Sequence, residues 1–228
     1  MAIIGIIAIL ILALIVLGPS YWVKHTMKRH STERSDFPGT GGELASQLVE
    51  HYAKRDVKVE LTDRGDHYDT EDRAVRLSAD NFYNRSLTAV AVAAHEVGHA
   101  IQHDRREKGL QLRQGLASLA VVSDRVASVF FLLAPVLFIV VRAPAALIAM
   151  IGLGIALLAI RVMVHLITLP VEYDASFNKA LPILRDGGYL RDDDVEGAKS
   201  VLRAAAFTYV AGALISLIDL ARWIRILR

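Results

Sequence analysis

Residues Ala2 to Val23 carry no formal charge and are nearly all Ile, Leu, Val or Ala. At about 1.5 Å per residue, a helix of that length would cross the hydrocarbon layer of a bilayer. A cleaved signal peptide would open with basic residues and close on small ones. This segment opens Met1-Ala2-Ile3-Ile4 and closes with Tyr21 and Trp22, side chains suited to a membrane interface. The pattern predicts a retained anchor over residues 1–23. Lys24, Lys28 and Arg29 follow at once, which under the positive-inside rule puts the next region in the cytoplasm.

Two more apolar runs lie further on, residues 126–141 and 143–160, separated only by the Val141-Arg-Ala-Pro144 connection. Such a short link suits a helical hairpin, and together the runs predict a transmembrane hairpin over 116–169. Residues 170–202 would then form a cytoplasmic segment, and 203–228 a last apolar helix, spanning or membrane-packed. A hydrophobic fraction of 54% supports this reading, and a net charge of only +2 argues against a nucleic-acid binder. The expected class is a mainly α integral membrane protein.

Residues 24–115 are of another kind. Phe37-Pro-Gly-Thr-Gly-Gly42 reads as a loop leading into a helix through Leu44, Leu48, Val49 and Tyr52. Val57 to Leu61 alternates like a strand, and Asp69 to Asp72 reads as a turn before a short strand at Ala74 to Leu77. Asn84 or Ser86 can cap the helix whose apolar run starts at Leu87. This is the composition of a small α+β cytoplasmic part. Val75-Arg-Leu77 is read either as an edge strand able to pair with an extended peptide or as an ordinary hairpin strand.

The chemistry centres on Val92-Ala-Ala-His95-Glu96-Val-Gly-His99-Ala-Ile101. Histidines four apart lie one above the other on a helix, so both rings can reach one zinc ion. Glu96 then stands beside the metal's open position, where it can accept a proton from water. The chain has no cysteine, so histidine and carboxylate are its strong metal ligands. Gly98 would leave room near the metal.

A catalytic zinc needs a third protein ligand. His103 lies about 12 Å along the helix from His95, too far to share its ion, and reads instead as a helix-end histidine. Glu172, in Leu169-Pro-Val-Glu172-Tyr-Asp174-Ala-Ser176, follows the hairpin's return to the cytoplasmic side and is the stronger candidate. Asp174 is the runner-up, either as a ligand or as an acceptor that orients a histidine. His165, two helical turns before Glu172, could point towards the site. An oxyanion partner is not distinguishable among Tyr173, His165 and Tyr209.

Three stretches, Val75-Arg-Leu-Ser-Ala-Asp-Asn81, Ala89 to Gln102 and Leu169 to Ser176, resemble the YugP-like family of bacterial membrane zinc metallopeptidases. Arg203-Ala-Ala-Ala-Phe-Thr-Tyr-Val-Ala211 fits the same family, so the resemblance covers nearly the whole chain. More distantly, the layout is similar to HtpX-type membrane proteases, in which a membrane hairpin separates the paired histidines from a glutamate ligand written Glu-Tyr-x-Ala-Asp. The resemblance implies a zincin-like core with Glu172 as third ligand, in the gluzincin manner. This chain has Ser176 where that aspartate would stand, so the aspartate's role is missing or falls to Asp174.

The expected function is a zinc endopeptidase with one Zn2+ per chain, held by His95, His99 and Glu172, with Glu96 as general base. Its expected substrates are proteins or peptides at or in the bacterial cytoplasmic membrane, with the active site on the cytoplasmic side. The rival reading is a catalytically silent zinc-binding membrane scaffold.

Overall fold

The computed structural model describes residues 2–53, 56–141, 144–208 and 210. It describes side chains at positions 14, 17–53, 56–123, 125, 126, 129, 149, 152–154, 156, 157, 159, 160, 162–208 and 210. Tyr209 and most of the expected 203–228 helix lie outside the described residues.

The first long helix, α1, spans Ala2–Arg29. A capping box starts α2, Gly41–Tyr52: the Thr40 hydroxyl accepts from Glu43 N, and the Glu43 carboxylate accepts from Thr40 N. Three short strands follow, β1 (Lys58–Leu61), β2 (His67–Asp69) and β3 (Ala74–Leu77). Their order is β1-β3-β2, with β1 parallel and β2 antiparallel to β3. The short α3, Ala79–Tyr83, leads to the metal-motif helix α4, Leu87–Asp104. Ser86 caps α4 through a hydrogen bond from Ala89 N, and Asn84 instead ends α3.

Helices α5 (Lys108–Val141) and α6 (Pro144–Tyr173) pack on each other. A seven-residue π-helix, Asp174–Ala180, runs directly into α7, Leu181–Asp186. A last helix, α8, is described over 195–208.

Every residue of α4 from Leu87 to Gln102 is buried. A helix that is apolar or small on all sides is stable only when surrounded, and here every neighbouring layer contributes. Leu48 of α2, Val75 and Leu77 of β3, Leu184 of α7, and Val201 and Leu202 of α8 join Val97 and Ile101 in one hydrophobic core, all under 2% exposed. Each such side chain contributes roughly 1.5–3 kcal/mol by leaving water. Thr88 of α4 also donates through Oγ1 to Met27 O, tying the end of α1 to this core.

The expectation of an integral membrane protein is overturned. Among the described residues no helix is long and apolar enough to cross a membrane. The described parts of the long helices carry charge: Lys24, Lys28 and Arg29 in α1, and Lys108, Arg113 and Arg125 in α5. The transmembrane hairpin falls with that expectation. The boundary expected at residue 115 falls inside α5. What the described residues form around the motif is a small α+β body.

The sheet decides between the two readings of Val75-Arg-Leu77 in favour of the ordinary hairpin strand, since β2 and β3 are antiparallel neighbours. β3 is the central strand, so both its edges are used and Val75-Arg-Leu77 cannot pair with a peptide. β2, which has no clear alternation in the sequence, is one of the two edges.

Candidate metal centre

Helix α4 presents His95 and His99 on one face, with ring centroids 4.8 Å apart. The last turn of α6 brings Glu172 to that face. Its Oε2 lies 3.1 Å from His95 Nε2 and 3.3 Å from His99 Nε2. These donor atoms lie within 4.8 Å of one another, and all three residues are buried. The separations suit a tetrahedral site, in which zinc bonds of about 2.0–2.1 Å place donors about 3.3 Å apart.

The far side of each ring decides which hydrogens it carries. His99 Nδ1 lies 2.9 Å from Gln102 Oε1, and Gln102 Nε2 donates to Val171 O and to Asp174 Oδ2. An amide oxygen only accepts, so Nδ1 of His99 is the donor. His95 Nδ1 lies 3.0 Å from Ser176 Oγ, whose one hydrogen is directed at Leu202 O, 3.2 Å away. Nδ1 of His95 is therefore a donor too. Both Nε2 lone pairs then converge on a carboxylate oxygen, and three acceptors facing one another require a proton or a metal ion between them. The donor set fits zinc: two imidazoles and one carboxylate, with both outer nitrogens already satisfied.

Charge completes the picture. Burial opposes ionisation of Glu172, but the His99 and His95 rings, when a proton lies between them and the carboxylate, outweigh it and hold the carboxyl well below the usual carboxylate range. On the other side, Arg113 Nη1 of α5 lies 2.8 Å from Glu172 Oε1. This contact is an ion pair out of hydrogen-bond alignment. Glu96 is 7% exposed and makes no ligand contact. Burial pushes its carboxyl up to about 7; His95 opposes the rise, and Glu172 and Asp66 add to it.

These groups open into one cavity of about 340 Å³, whose wall includes Glu96, Arg113 and, from β2 and the segment beside it, Asp66, His67, Tyr68 and Thr70. The edge strand thus borders the site.

Other residues predicted for the site stand elsewhere. Asp174 does not touch a histidine: it accepts from Gln102 and from Asn178 and Lys179, and its carboxyl is held at about 2 because these bonds outweigh burial. Tyr173 is 58% exposed, against Phe177. Neither Tyr173 nor His165 is among the residues lining the cavity. His103 bonds through Nδ1 to the Tyr68 hydroxyl, 2.9 Å away.

Sequence reasoning missed Arg113 and Gln102 and gave Ser176 no task. Gln102 could have been found: it lies three residues after His99, within reach on the same helix face. Nothing local marks Arg113.

Gly98 also has a different purpose from the one expected. A Cβ there would stand 2.8 Å from Ala175 O of the π-helix. The space is filled by backbone, and this close approach brings Ser176 to His95.

Comparison with known proteins agrees with this site. A family model described as "putative neutral zinc metallopeptidase" matches residues 5–228. The chain is 39% identical over 222 residues, 94% of each chain, to a protein of Bacillus subtilis (strain 168) named "putative membrane protease YugP". No solved structure matches. With a family match over nearly its full length and a His-His-Glu cluster able to hold a metal ion, this chain belongs to the family described as "putative neutral zinc metallopeptidase".

Proposed function

We propose that the chain is a zinc endopeptidase of the gluzincin arrangement. His95, His99 and Glu172 would hold one zinc per chain, and Glu96 would serve as general base. The observation that carries this reading is the convergence of two bare Nε2 atoms and Glu172 Oε2 beside a buried carboxylate in one cavity.

Bound zinc would acidify a water and polarise the scissile carbonyl. Glu96 takes the proton from the attacking water and later delivers it to the leaving amine. Edge strand β2 offers backbone groups to an extended polypeptide, which fixes the scissile bond near Glu96. Arg113, the guanidinium on the cavity wall, offsets the negative charge that develops on the carbonyl oxygen.

The relative's name places that protein at a membrane. Extended to this chain, it suggests polypeptide substrates at a membrane surface, which fractionation of expressing cells would test. Recovery of all the chain in the soluble fraction would remove that part of the reading.

The central test uses purified full-length chain. Elemental analysis should find one zinc per chain, and the sample should cleave unfolded casein. A metal-free, inert preparation after zinc addition would refute the proposal. Glu172→Ala should lower zinc affinity by more than the roughly 10–100-fold that outer partners contribute; chelator competition measures this, and unchanged affinity would remove Glu172 from the ligand set. Arg113→Met should retain zinc and lower kcat about 100-fold. An unchanged kcat would leave the developing charge to another group.

A further inference from the structure

We propose that Ser176 and Gln102 are positioning residues, each holding one metal-site histidine in the tautomer whose bare Nε2 faces Glu172. The inference builds on the zinc reading but concerns hydrogens on the protein itself.

Ser176 is 0% exposed and Gln102 1%, so water does not compete for either. Ser176 has one hydrogen, directed at Leu202 O, which leaves its oxygen to accept from His95 Nδ1. Gln102 cannot exchange its oxygen and nitrogen. A flipped amide would aim Oε1 at Val171 O and the Asp174 carboxylate, two further acceptors. Behind it, buried Lys179 pairs with both Asp174 and Glu107, which fixes the carboxylate that fixes Gln102. The chain Lys179–Asp174–Gln102–His99 thus runs from the π-helix to the site.

This arrangement accounts for the serine. Ser176 serves His95 directly, while the charge of Asp174 reaches His99 only through a neutral amide. Both rings therefore have neutral acceptors, which raise ligand basicity less than a directly bonded carboxylate would.

The test begins with metal-free wild-type chain labelled with 15N at histidine. Long-range proton–nitrogen correlation spectra read which ring nitrogens carry hydrogen, and both His95 and His99 should carry one on Nδ1, any further proton being the one shared at Nε2 with Glu172. Ser176→Ala should shift His95 alone towards the Nε2–H form, and Gln102→Met should do so for His99 alone. Each should raise the zinc Kd about 10–100-fold in chelator competition. A merely structural role would not move one ring's tautomer and spare the other's. Wild-type rings without a hydrogen on Nδ1 would overturn the proposal without any variant, and so would variants with unchanged tautomers and Kd. If wild type shows Nδ1–H at both rings yet binds no zinc, the proposed function fails and the positioning roles stand.

Discussion

Replacement of Glu96 by Gln is expected to leave zinc bound and to lower kcat by about 10²–10⁴-fold, the usual contribution of a positioned general base. The amide keeps the shape of the side chain but cannot accept the proton of water. Glu96 stands outside the His95, His99 and Glu172 cluster, so its replacement leaves that donor set in place. In the metal-free site burial pushes its carboxyl up to about 7. Steady-state cleavage of casein and zinc content, measured on one preparation, decide the matter. A variant as fast as wild type would show that the base lies elsewhere. A variant that loses its zinc would mean that Glu96 holds the metal.

The second large effect is expected at Gly98. Alanine there gains up to about 1 kcal/mol of helix propensity. Against that gain, its methyl group would press on Ala175 O at 2.8 Å and on Ala175 C and Cα at 3.3 Å. These are backbone atoms and cannot swing aside. Overpacking of this kind costs typically 1–3 kcal/mol, so Gly98→Ala should be destabilised on balance, with a lower Tm. The more specific consequence concerns the metal. The π-helix moves away from α4 and takes Ser176 from His95 and strains Glu172, so zinc affinity falls as well. Calorimetric unfolding and chelator competition would measure the two effects. A variant as stable and as tightly zinc-binding as wild type would show that the two elements tolerate wider spacing.

Gly98 also illustrates the limit of reading a helix in isolation. Its place between two histidines suggested room for a metal, whereas its neighbour is the backbone of a segment 77 positions away. Ser176 is similar. Its position in the Glu-Tyr-x-Ala pattern marked a missing aspartate, but its hydroxyl meets His95 only because the π-helix is widened and lies against Gly98. Arg113 reaches Glu172 from the first turns of a different helix, a relation without any sequence period.

Other features were legible because their physics is local. Ser86, one of two cap candidates before an apolar run, the alternation over residues 57–61 and the short strand at Ala74–Leu77 depend on neighbours within a few residues. The apolar runs were equally local and misled. Such a run states that a segment seeks apolar surroundings but does not distinguish lipid from protein. It therefore could not establish an integral membrane fold.

By itself the sequence determined that His95 and His99 share one face of a helix with Glu96 between them, because a 3.6-residue repeat allows nothing else once α4 is helical. It also narrowed the third ligand to a carboxylate near residue 172. Only the tertiary structure decided that Glu172 rather than Asp174 meets the rings, that β2 borders the cavity, and that Ser176, Gln102 and Arg113 surround the ligands. Those choices depend on how separate elements pack together, and packing is set by burial and shape across the whole core.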